Sequence, residues 1–164
     1  MHVDDLRTIY AYSCWMNDRI LAAAERVTPE QFVASTKLTP RNLQDNLVHI
    51  LDVEWSWRET ARSRGEQGVG HDEELQPADF PDVDALRARW AEESASMRDY
   101  LAELSDEDLD APARQGDDRF TLGDILLHAI NHGVLARVEA AVLLTHYGQS
   151  PGDLDYLNYV DSVS

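Results

Sequence analysis

Two histidines one helical turn apart, His128 and His132, stand in the apolar run "LLHAINHGVLARVEA" (126–140). A neutral imidazole can ligate a divalent metal, relay a proton, or serve as a hydrogen-bonded core residue. At about 100° per residue, Ile125, Ala129, His132, Ala136, Glu139 and Leu143 share one narrow helical face, with His128 and His146 at its edge. His132 therefore points with the packing residues, where it needs a hydrogen-bond partner, a metal or a water-filled pocket. A third histidine, His49, lies beside the stripe formed by Leu43, Leu47, Ile50, Leu51 and Glu54, in company with Asn46, Val53 and Ser56. It can face a neighbouring helix. The spacing at 128 and 132 lacks the glutamate of an HExxH site. Two readings therefore stand side by side: a metal shared by His49 and His132, or two satisfied core histidines.

The remaining candidates carry blander readings. His2 and His71 are expected to be solvated, and His146 to sit as a favourable charge at a helix C-terminus. Cys14 is the one cysteine, so the chain cannot close an internal disulfide or build a multi-thiolate zinc site; any metal would be held by nitrogen and oxygen. Its expected role is that of a small buried hydrophobe. Trp15, Trp55, Trp57 and Trp90 read as core or interface residues more readily than as a ligand-stacking cage.

The elements that must position these residues are helices. Apolar residues recur at helical spacing over about 4–26, from about 40 to 64, over about 82–104, and from "TLGD" at 121 to Gly148, with no alternating strand pattern of useful length. Thr39 is expected to cap the second of these, with Pro40 at its start, and Thr121 the last, with Asp124 reaching back. "TPEQF" (28–32) and "SDEDL" (105–109) predict short capped turns. The polar segment 65–81 is longer than an ordinary connection and suits a crossing from one end of a helical bundle to the other. The tail after Pro151 carries enough Leu and Tyr to dock. This predicts an all-α, four-helix bundle in a single domain spanning 1–164.

Fourteen basic against 31 acidic residues give a net charge of −17, which repels phosphate backbones and anionic membrane surfaces and argues against nucleic acid as a partner. With 43% hydrophobic residues, that acidity coats a folded protein. The N-terminus has acidic residues where a signal peptide needs basic ones, and no apolar stretch is taken to reach the roughly 20 residues of a bilayer span, so a cytoplasmic protein without a membrane partner is expected.

"YSCWMNDRIL" (12–21), "LVHILDVEWSW" (47–57), "TLGDILLHAINHG" (121–133) and "LLTHYGQSPGDLDYLNYV" (143–160) together resemble, in order and spacing, the recurrent stretches of the DinB/YfiT-like superfamily. The resemblance covers nearly the whole chain. It implies a four-helix bundle with a long crossover between helices two and three, a homodimer, and a divalent metal held by three histidines, one on helix two and two in an "NHxxxHR" pattern on helix four. Carried over, these ligands fall at His49, His132 and position 136. Position 136 is Ala136, so one expected ligand is missing, while Arg137 keeps the arginine of the pattern. His128, four residues before His132, and Glu139, seven after it, are the side chains within helical reach to make up the set. Two imidazoles and a carboxylate suit zinc, and under looser rules nickel or iron.

The resemblance further implies a metal-dependent enzyme acting on a small-molecule substrate, either a transferase or isomerase using a low-molecular-weight thiol, or a hydrolase. In either chemistry Glu139 is ligand or base and Arg137 orients an anionic group, unless Arg137 pairs with a surface carboxylate. Ala136 favours the alternative: a metal-free dimeric bundle that binds a small ligand or a protein partner without catalysis.

Overall fold

A computed structural model of the chain describes residues 1–65, 74–114 and 116–164; His71 and most of the glycine-rich stretch lie outside them. The protein is 71% helix, consistent with the all-α expectation. Four long helices dominate: α1 (Val3–Ala24), α3 (Leu43–Arg62), α4 (Val83–Glu103) and α6 (Leu122–His146). Short helices α2 (Pro29–Val33), α5 (Asp106–Asp110) and α7 (Tyr156–Val163) fill the connections and the tail, with a 3-10 turn at Pro77–Asp79.

Local chemistry sets the starts. Thr28, Ser105 and Thr121 each accept the backbone N–H three residues on, and the side chains of Gln31, Asp108 and Asp124 reach back in turn. The second long helix departs from the expectation. Asn42, not Thr39, is its cap, because Asn42 Oδ1 accepts from the Asp45 N–H at 2.8 Å and its amide donates to the Asp45 carboxylate at 2.9 Å. Thr39 instead donates to the Arg41 carbonyl at 2.7 Å, within the bends of 37–41 ahead of the helix.

A short antiparallel hairpin, β1 (Pro112–Arg114) and β2 (Asp117–Thr121), stands beside the helices. Strands of three and five residues are too short for alternation to show in the sequence. The view that no stretch could cross a bilayer also needs correction, since α6 is long and apolar enough by length and composition alone. It runs instead along α3 and α1, and core helices of water-soluble folds pass the same test.

The long helices pack α3 on α6, α6 on α1, α1 on α4 and α4 on α3. Their interior holds two apolar clusters. One gathers Ile20, Leu47, Leu51, Leu86 and Leu143; the other gathers Leu6, Leu101, Leu109, Leu122 and Leu126. Each fully buried leucine contributes about 1.5–3 kcal/mol.

Polar residues are also buried toward the middle of every long helix: Ser13 and Asn17 on α1, Glu54 and Arg58 on α3, Glu93 and Ser94 on α4, Arg137 on α6. Arg58 grips Glu93 through Nε (2.6 Å) and Nη2 (2.8 Å), and the Tyr10 hydroxyl donates to Glu54. Arg137 Nε donates to Asn17 Oδ1 at 2.7 Å. The tail docks on α1 through the Tyr12 hydroxyl, which donates to the Leu154 carbonyl at 2.5 Å, and through ring contacts of Tyr12 with Tyr156 and Tyr159.

Candidate functional site

α3 and α6 carry His49 and His132 to a common place, their ring centroids 5.3 Å apart and the rings nearly edge to face. The separation is compatible with two nitrogens meeting at one ion. Burial lowers the pKa of both below the usual histidine value. The positive charge of Arg41 and the neighbouring His132 add to this at His49, and His128 and Arg41 add to it at His132. Both rings are therefore neutral near pH 7, the form with a lone pair to give. His132 Nδ1 is buried without a partner among the described residues, and so is Glu139 Oε2, whose charge acts on His49 in the opposite sense to Arg41. Buried polar atoms left unpaired are costly, and a site holding such a pair is one a ligand can complete.

The third position of the expected set is closed. Ala136 is buried within the apolar cluster, and its carbonyl accepts from Asn46 Nδ2 at 2.8 Å. His128 stands further out, with its ring exposed, 5.8 Å from that of His132 and 5.1 Å from that of Trp57. No group of three or more His, Cys, Asp or Glu side chains among the described residues could hold a metal ion. What the described residues offer is two neutral imidazoles from separate helices, short of the three protein ligands of a catalytic zinc site and not a closed protein cage.

Arg137 lies elsewhere than a surface ion pair would put it. It is 2% exposed, tied to Asn17, with the Glu54 charge close enough to oppose the strong depression that burial imposes on its pKa. Gly133 makes this possible: a Cβ there would sit 2.7 Å from Arg137 Nη1. His2 is exposed as expected, yet it is engaged, with its Nδ1 2.7 Å from Asp106. His146 stays in the last turn of α6 against Tyr147. Of the tryptophans, Trp90 is buried in the core, while Trp15 stacks with Tyr12 beneath Arg19 and Trp57 meets His128. Cys14 is half-buried, and desolvation raises its pKa, the reverse of an activated thiol.

Arg41 is the member of this site that sequence reasoning misses. It lies in the bends before α3, outside any helical period, and its one visible signal is a place immediately after Pro40 at the mouth of the helix.

No curated protein matches the chain. The DinB family model matches it over residues 1–163, essentially its whole length. With helices, capped turns and the paired histidines all falling inside that match, the chain belongs to the DinB family.

Proposed function

We propose that this DinB family protein is a divalent-metal-dependent enzyme acting on a small molecule, built as a four-helix bundle with a long crossover between α3 and α4 and working as a homodimer. The observation that carries the reading is the approach of His49 and His132, two neutral imidazoles from separate helices with ring centroids 5.3 Å apart. An ion bound there supplies a Lewis acid for thiol transfer, with a low-molecular-weight thiol as co-substrate, or for hydrolysis.

The chain's own groups do the rest. Arg41 adds its positive charge to the burial that lowers the pKa of both rings, and would favour an anionic substrate group beside them. Glu139 Oε2, buried and without a partner among the described residues, is the candidate proton acceptor. Arg137, locked to Asn17, holds the α6 face in place. The homodimer is supported by apolar residues left in water along α6, namely Leu127, Leu135, Val138 and Val142.

Metal analysis of the purified full chain, followed by titration of zinc, nickel and iron(II) into wild type and His132→Ala, tests the reading. The expected result is one equivalent of metal in the wild type and at least tenfold weaker binding in the variant. A native protein that takes up no equivalent overturns it. Ala136 favours a second reading, a metal-free bundle that binds a small ligand or a protein partner, and that outcome would select it.

A further inference from the structure

The hairpin leaves a large apolar ring, Phe120, 55% exposed. It faces a depression of about 400 Å³ that it lines with Trp57, Ile125, Asp124 and His128. An adjoining hollow of about 140 Å³ shares Trp57, Phe120 and Ile125 and adds Arg114 and Arg119 from the two strands. Arg114 packs across Gly65, just beyond α3, where a Cβ would meet its side chain at 2.4 Å. Asp124 is already committed, its carboxylate accepting from the Thr121 N–H and hydroxyl at 2.9 Å each. His128 lines the pocket as well, its ring centroid 5.1 Å from that of Trp57 and 5.8 Å from that of His132. Two aromatic walls, an aliphatic floor and two guanidinium groups in a chain of net charge −17 match a flat apolar ring bearing an anionic group.

We propose that the pocket between Trp57 and Phe120 binds an aromatic carboxylate, its ring between the two side chains, its carboxylate toward Arg114 and Arg119, and its far edge toward His128. This substrate class rests on the reading of His49 and His132 as the reacting end, because His128 connects the pocket to that pair.

The probe is 2-naphthoate, titrated into the full chain by calorimetry, with neutral 2-naphthylmethanol as comparison. The wild type is expected to bind the acid at least about tenfold more tightly than the alcohol. Phe120→Ser, a change at an exposed position, is expected to weaken naphthoate binding about tenfold with unchanged circular dichroism. Arg114→Gln combined with Arg119→Gln should erase the preference for the acid while retaining the alcohol. Equal affinity of wild type and Phe120→Ser, or no naphthoate binding by the wild type, overturns the pocket. Naphthoate binding that persists in His132→Ala supports it independently of the metal, so a failure of the histidine centre and a failure of the pocket are read apart.

Discussion

Gly133 and Arg137 show how one missing side chain admits another. Replacing a mid-helix glycine by alanine ordinarily gains about 1 kcal/mol of helix propensity. Here the new methyl would stand 2.7 Å from Nη1 and 3.0 Å from Cζ of a guanidinium held at 2.7 Å by Asn17. Gly133→Ala is therefore expected to destabilise the protein by about 1–3 kcal/mol in urea denaturation, an overpacking cost that reverses the propensity gain. A stabilised variant would show that Arg137 moves aside freely. This pair also marks the limit of sequence reading at the residue scale. The apolar period fixed the direction of His132 but left His49 beside its stripe, and it was the family resemblance that paired the two. Arg137 in an acidic chain reads as a surface residue, since the gap that receives it exists only once α1, α3 and α6 are assembled.

The first turn of α1 is tied to α5 by one side chain. Asp106 accepts from the Val3 N–H at 2.8 Å and contacts His2 Nδ1 at 2.7 Å. The hydrogen bond to Asp106 raises the His2 pKa above 6.5, and the bond to His2, followed by that from Val3, holds Asp106 below 3.8. The His2 contribution is complete below its unfolded value and is lost as pH rises through the raised one. The Asp106 contribution is complete above its unfolded value and is lost as pH falls through the lowered one. Amide protection in residues 4–7, normalised to intrinsic exchange rates, should therefore be greatest between about pH 4 and 6.5 and decline on both sides; a flat profile from pH 3 to 9 would refute the tie. At this scale the starts of α2, α5 and α6 were readable from capping patterns. The exception was Thr39, expected as the cap of α3 and displaced by Asn42, whose reciprocal bonds with Asp45 reward the later start. The hairpin was invisible because its strands carry no period.

For the molecule as a whole, charge and apolar surface pull in opposite directions. Net charge −17 repels a second copy, whereas Leu135 at 74% exposure and Val138 at 57% offer a stripe to cover. Sedimentation velocity is expected to find a dimer whose dissociation constant falls as salt screens the repulsion. Leu135→Glu combined with Val138→Glu should yield monomers with unchanged circular dichroism; a wild type that sediments as a monomer at every ionic strength rules the dimer out.

The charged belt at mid-length has a consequence for assembly. Oil on oil tolerates sliding, and two apolar compartments alone would let any rod advance by a turn, about 5.4 Å, at modest loss. Such a slip would take Arg58 from the fully buried Glu93 carboxylate, or the buried Arg137 from Asn17, and leave a charge without its partner at a cost of several kcal/mol. Axial alignment is thus dictated by a few ions at the waist, and with it the level at which the imidazoles of two rods meet.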